Sequence, residues 1–256
     1  MKDITQIFNN YYVYIYNYAL KLSCHPDDAA DITQDTFVKA WMNINTLKDE
    51  NALSKWLRTI CYHEFLMKIR KNQSDKQMML EDWDKLEEEG LLLKQDIPLP
   101  EEEVIVAEEV KSLQNGCFLA MVRRLSLNQR IAFSLVDMFG LTTDQVAEIL
   151  KISKGATKGL LYRARMNIDS FFSDHCDLIF EHNPCSCKAW IEFSSKRDQQ
   201  QQRTKQLIRR LDFEKKGYQF DEIVRRKVLY LYTNMPEQKP SQDWYDHVIK
   251  IFANEL

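Results

Sequence analysis

Glycine and proline are scarce in this chain, six of each in 256 residues, while leucine, lysine, glutamate and aromatic residues are plentiful. With so few helix breakers the composition points to an all-α fold. No apolar run approaches the length that spans a bilayer, which excludes a membrane helix. The amino terminus lacks a basic-then-apolar leader. The six cysteines therefore do not read as the disulfide framework of a secreted protein, and the expected location is cytoplasmic. A large net charge is missing too, the formal value being -3 at pH 7. That small number hides local asymmetry. Residues 81–109 carry twelve acids against Lys85 and Lys94, whereas residues 151–165 carry Lys151, Lys154, Lys158, Arg163 and Arg165 with no acid. Overall acidity thus does not exclude nucleic acid, and the basic stretch permits it. The length allows one or two compact domains with a sizeable core.

The chain is organised around Asp27-Asp28-Ala29-Ala30-Asp31-Ile32-Thr33-Gln34-Asp35-Thr36-Phe37-Val38-Lys39-Ala40-Trp41. Ala30, Phe37 and Trp41, with Ala40 beside them, follow helical spacing and predict an apolar stripe. Asp28, Asp31 and Asp35 step by three and four, and Gln34 shares their rim. Asp27 or Asp28 after Pro26 is the expected cap. By pattern alone this is an amphipathic helix with a solvated acidic face. The order of residues adds more: the stretch resembles the polymerase-binding helix of the bacterial sigma-70 family, in its small two-domain, extracytoplasmic-function (ECF) branch. The resemblance implies that Asp31, Gln34 and Asp35 are the polar contacts to core RNA polymerase, with Phe37 and Trp41 anchoring the helix in its domain.

Before this stretch, residues 3–24 predict a helix with Phe8, Tyr11, Ile15, Tyr18 and Leu22 on one face, which reads as core packing. After it, a polar loop over Asn43 to Asn51 precedes a helix through Leu53, Trp56, Leu57, Ile60, Phe65 and Ile69. That helix carries Lys55, Arg58, Lys68, Arg70 and Lys71 against Glu64. A basic rim can track a phosphate backbone, and nearby aromatics can stack on unpaired bases. Trp56-Leu57-Arg58-Thr59-Ile60 is similar to the family's promoter-melting core. By that resemblance Trp56, Arg58, His63, Lys68, Arg70 and Lys71 are the minus-ten contacts. His63 and Met67 stand where the family usually has Asn and Asp, so base preference is the property that departs.

Residues 72–110 read as a solvated acidic linker, which in the family threads through the polymerase. From Phe118 helical signals return. Ser126-Leu127-Asn128-Gln129 and Thr142-Thr143-Asp144-Gln145 each place a hydroxyl three residues before a Gln, a capping-box arrangement. Gly140 is the expected helix stop. Two short helices across Lys151-Ile152-Ser153, the second basic, predict a helix-turn-helix. Residues 140–165 resemble the minus-thirty-five-reading domain of the same branch. That implies Lys154, Thr157, Lys158 and Arg163 as DNA-facing residues, with Arg165 a phosphate contact or the partner of a nearby acid. Ser126, Gly159 and Tyr162 depart from the usual Pro, Ser and His.

His175, Cys176, His182, Cys185 and Cys187 fall within thirteen residues. They read as a zinc knuckle, a metal sensor or a thiol switch, or else as ordinary cysteines capping a domain. Zinc is the cofactor the cluster would hold, and none is required by the family resemblance. The expected organisation is all-α: residues 1–71 like sigma region 2, 72–110 the linker, 111–172 like sigma region 4, and 173–256 a helical Cys/His-containing extension. The expected function is that of an alternative sigma factor, with core RNA polymerase and promoter DNA as partners, an anti-sigma factor left open, and no catalytic residue. Two rivals are a stand-alone helix-turn-helix regulator with a sensing tail, and a zinc hydrolase, which lacks an accompanying acid or His motif.

Overall fold

The structure, a computed structural model, describes residues 4–47, 49–71, 114–183 and 218–254. The acidic linker over 72–110, Cys185 and Cys187 lie outside the described residues. Among the described residues every regular element is helical, and no helix is long and apolar enough to cross a membrane. The chain divides into two compact units, Met1–Asp75 with Pro236–Leu256, and Lys76–Met235. The expected 173–256 extension is therefore shared between them.

The first unit is built on α1 (Ile4–Ser23), α2 (Pro26–Met42) and α3 (Leu53–Lys71). Phe8, Ile15, Tyr18 and Leu22 of α1 are fully buried, as their spacing predicts. Tyr11 of the same predicted face is half-exposed. α1 stops at Cys24, whose backbone is left-handed at φ 57 and whose N–H donates to the Leu20 carbonyl at 2.7 Å. The cap of α2 is His25, not Asp27 or Asp28: its extended backbone precedes Pro26, and its ring accepts the Asp28 N–H at 3.5 Å. Proline at the first helical position has its φ already helical and no N–H to satisfy, so the cap falls one residue before it. Asp27 and Asp28 then lie in the first turn, against the positive end of the helix.

The buried stripe of α2 is Ala29, Ile32, Thr33, Thr36, Phe37 and Ala40, with Ala30 and Trp41 only half-buried. Two threonines enter this core because each hydroxyl donates to a carbonyl four residues back, Thr33 to Ala29 and Thr36 to Ile32, both at 2.6 Å. α3 completes the bundle with Leu57, Cys61 and Phe65. A further helix from the C-terminal end of the chain, residues Gln242–Asn254 (α9 below, after the helices of the second unit), packs on α1. Its Val248 and Phe252 are fully buried. The Tyr245 hydroxyl donates to Asn9 Oδ1 at 2.5 Å. Just before the helix, Asn17 of α1 holds the Gln238 backbone at both ends, donating to its carbonyl at 2.8 Å and accepting its N–H at 2.9 Å.

The second unit opens with α4 (114–123) and α5 (Leu127–Phe133), which runs on into a π-helical turn, Ser134–Met138. The turn ends at Gly140, whose φ of 81 a side chain rarely tolerates. α6 (Thr143–Leu150) and α7 (Lys154–His175) follow, joined through Lys151 in the left-handed region and capped at Ser153. α8 (Glu222–Thr233) is capped by Asp221, which accepts the Ile223 and Val224 N–H groups. Phe118, Met121, Val122, Ile131, Phe133, Leu135, Val146, Ala164 and Ile168 are the core.

Of the two expected capping boxes only one closes. Thr142 accepts the Gln145 N–H at 3.2 Å while the Gln145 side chain accepts the Thr142 N–H at 2.9 Å. Ser126 makes no side-chain cap bond. Thr142→Ala is expected to lower the stability of this unit by about 1 kcal/mol, with Ser126→Ala nearly neutral. Urea unfolding followed at the second unit checks the contrast.

Candidate functional site

On α2, Asp31 and Asp35 are exposed and Gln34 is half-exposed, one rim opposite the buried stripe. Two lysines tie this rim to α3. Lys68 Nζ lies 2.8 Å from Asp28 and 2.7 Å from Asp31. Lys39 Nζ lies 2.6 Å from the buried Glu64. Asp35 has no ion pair among the described residues. Burial first, then the Glu64 and Asp31 charges, push its carboxyl above the ordinary aspartate value. A partner cation would relieve that excess of negative charge.

On α3, His63, Arg70 and Lys71 are exposed, Trp56 and Arg58 half-exposed. Arg58 hydrogen-bonds Tyr14 of α1. Lys68, expected among the minus-ten contacts, is instead bound to the α2 acids. Its spacing along α3 placed it with the other basic residues, but α2 runs alongside and presents two carboxylates there.

The exposed face of α7 carries Lys154, Lys158, Tyr162 and Arg163. Lys154 pairs with Asp144 at 2.8 Å across the helix-turn-helix, both side chains more than half exposed. Tyr162, 60 % exposed, continues the four-residue step from Lys154 and Lys158 and belongs with them. Gly159 leaves the space between open: a Cβ there would meet nothing nearer than Arg163 Nη1 at 3.5 Å. Thr157 does not face outward. It is fully buried, with its hydroxyl donating to the Ser153 carbonyl at 3.2 Å. One step round the helix from the exposed residues, it meets the core, and the carbonyl satisfies its polar atom.

Arg165 forms a fork on Asp137 of the π-helical turn, Nε to Oδ2 at 2.8 Å and Nη2 to Oδ1 at 2.6 Å. Arg225 of α8 joins it, Nη2 to Asp137 Oδ2 and Nη1 to Asp169 Oδ1, both at 3.0 Å. It also donates to the Tyr232 hydroxyl. Asp137, Asp169 and Arg225 escaped sequence reading because the partners of Arg225 are 88 and 56 residues away. Burial pushes Asp169 up to about 6, against the pull of Arg225. The folded unit thus holds this proton more tightly than an unfolded chain. The resulting stability is present below about pH 4 and is lost as pH rises through about 6, some 3 kcal/mol in total. Denaturation at mildly acid and neutral pH is expected to show that fall, and Asp169→Asn to remove it.

In the tail, His175 stacks on Phe171 with centroids 4.9 Å apart, its Nδ1 2.8 Å from the Phe171 carbonyl. Cys176 is buried, and the exposed His182 stacks on Phe180. Among the described residues no three metal-binding side chains come together, and Cys185 and Cys187 lie outside them.

These surfaces coincide with two stretches of known kind. Residues 7–75 match the family model for sigma-70 region 2, and residues 115–168 match that for sigma-70 region 4. The chain belongs to the sigma-70 family. Its relatives put it in the ECF branch. It is 26% identical over 166 residues to the RNA polymerase sigma factor YlaC of Bacillus subtilis (strain 168), a stretch covering 65% of this chain and 90% of the relative. To the ECF RNA polymerase sigma factor SigM of the same strain it is 25% identical over 170 residues, covering 66% and 95%. To the ECF RNA polymerase sigma-E factor of Haemophilus influenzae it is 25% identical over 147 residues, covering 56% and 74%. In this sigma-70 family member the acidic rim of α2 falls in region 2 and the basic face of α7 in region 4, whereas α8 and α9 lie beyond both matches.

Proposed function

We infer that this chain is an alternative, ECF-type sigma factor that directs transcription initiation. The observation that carries the reading is the occurrence of region 2 and region 4 in family order on two helical units, with an acidic rim on one and a basic helix on the other. In this proposal Asp31, Gln34 and Asp35 engage core RNA polymerase. Lys68 acts with them, holding Asp31 in place from α3. Trp56, Arg58, His63, Arg70 and Lys71 engage the opened minus-ten strand, cations on phosphates and the aromatic ring on a base. Lys154, Lys158, Tyr162 and Arg163 face the minus-thirty-five major groove. Sigma factors are not enzymes: the duplex opens because capture of unpaired bases and phosphates offsets unstacking. The work is done in the cytoplasm, where the polymerase and DNA are.

The test is run-off transcription from fragmented genomic DNA with purified core enzyme and full-length protein. Transcripts that require this chain, and that disappear with Gln34→Ala combined with Asp31→Ala, are expected. DNA binding with no affinity for core enzyme would sink the reading and favour a one-component regulator.

A further inference from the structure

The chain beyond the region 4 match attaches to both units. α8 is seated on the region 4 unit. Its Val224 and Val228 are buried, and its Tyr232 ring centroid lies 5.4 Å from both Phe118 and Phe133 of the core. α9 is seated on the region 2 unit through Val248, Phe252 and the Asn17 clamp on the Gln238 backbone. Only residues 233–237 separate Tyr232, the last buried residue of α8, from that clamp. Both docks lie beside residues assigned above to DNA. Tyr14, one turn of α1 from Asn17, hydrogen-bonds Arg58. The Tyr232 hydroxyl accepts from Arg225, which shares Asp137 with Arg165, two residues after Arg163 on α7.

We propose that α8, α9 and the residues between them form a strap that acts as a brake on promoter binding: α9 has to leave region 2 before both promoter elements are engaged. The proposal rests on the sigma reading. Its physical basis is reach, which covalent bonds limit whatever the arrangement of the two units. Fully extended, the chain from Tyr232 to Gln238 spans about 22 Å. Side-chain lengths and hydrogen bonds add about 20 Å from Gln238 to the Arg58 guanidinium, and about 25 Å from Tyr232 to the Arg163 backbone. Laid in one straight line these segments reach about 65–70 Å. Elements named for positions about 25 base pairs apart lie about 85 Å apart at ~3.4 Å per pair. Duplex this short stays nearly straight. With both docks made, Arg58 and Arg163 therefore cannot serve the centres of both elements. Contacts farther along α3 and α7 add reach only where they fall on that same line. α9 is the dock that yields. α8 is tied to the buried Asp137 and Asp169 by Arg225 as well as by its apolar side chains. In α9 the Trp244 indole N–H is buried and, among the described residues, has no partner. Undocking returns that donor to water and relieves a cost of docking.

The experiment uses the full chain. A flexible Gly/Ser segment of about 20 residues inserted between Met235 and Pro236 adds about 70 Å of contour and leaves the residues of both docks in place. Reconstituted holoenzyme carrying this insertion is expected to bind a promoter fragment about tenfold more tightly than wild type, the gain when about a tenth of wild-type molecules are undocked. The fragment is one selected by run-off transcription with the lengthened variant. The same segment appended after Leu256 is expected to change nothing. Val248→Asp, which unseats α9, is expected to give a gain similar to the insertion; should it fail to fold, the insertion decides. Hydrogen exchange read by mass spectrometry is the second measurement. The amides of residues 242–254 are expected to be protected in the free wild-type protein and to lose protection when its holoenzyme engages the promoter. In the lengthened variant they are expected to stay protected in both states. Protection of α9 retained in the wild-type promoter complex overturns the proposal. So does equal promoter affinity of wild type and the lengthened variant, or loss of protection in α8 instead of α9. Transcription by the lengthened variant alone supports the brake. Failure of both wild type and the lengthened variant to transcribe is a separate result, which removes the sigma reading and this proposal with it.

Discussion

Asp35→Lys is expected to weaken binding to core RNA polymerase by about a hundredfold while leaving the fold intact, because a reversed interfacial charge both removes an attraction and adds a repulsion. Asp35 suits this test better than its neighbours. It is exposed, and among the described residues no cation pairs with it. The charges that act on it most are Glu64 and Asp31, both negative. A lysine at this position would find itself between two acids and lose nothing that holds the unit together. Asp31→Lys is less clean, since it also breaks the 2.7 Å pair with Lys68 that ties α2 to α3. Equilibrium binding of labelled protein to core enzyme, with a thermal melt of each variant, separates the two effects. An Asp35→Lys protein that folds and keeps wild-type affinity would show that this rim does not face the polymerase.

The second large effect is on stability. Phe8→Ala is expected to destabilise the first unit by about 3–5 kcal/mol, the usual cost of emptying a large aromatic site. Against a typical total of about 5–15 kcal/mol this is a large fraction. Phe8 is fully buried where α1, α2 and α9 meet. Its ring centroid lies 5.0 Å from Phe37, 5.3 Å from Tyr12, 5.4 Å from Tyr245, 5.6 Å from Phe252 and 6.1 Å from Trp244. Three of those five rings belong to α9, so the cavity left behind lies under that helix and cannot be closed by α2 alone. α9 should become sensitive to protease before the rest of the unit. Phe252→Ala removes a ring that, among the described residues, meets the rings of Phe8 and Trp41 alone, and should loosen α9 with a smaller loss in urea midpoint. Equal midpoints for Phe8→Ala and wild type would contradict this account of the core.

The kind of protein this is could be read from residue order alone. Asp27 to Trp41 and residues 140–165 carry the family resemblance, and periodicity identified the helices on which they lie. Local signals held where the partners are a few residues apart: Gly140 ends its helix at positive φ, and Thr142 and Gln145 close a box within one turn. The same local logic was insufficient for Ser126, whose box does not form although its spacing is identical. It was also insufficient for orientation. The family resemblance implied Thr157 as a DNA-facing residue one step from Lys158, whereas helix packing places it in the core. Which charges meet was decided entirely by tertiary structure. Lys68 reads as one more basic residue on α3 until α2 brings Asp28 and Asp31 to it. Arg225 carries no local signal at all until α8 sets it between Asp137 and Asp169. Tyr245 meets Asn9 across 236 residues of chain. Sequence by itself determines what can be settled within a turn or two of backbone, which is helix type, caps and family motifs. The pairing of distant charges and rings depends on where whole helices pack, and no local spacing encodes that.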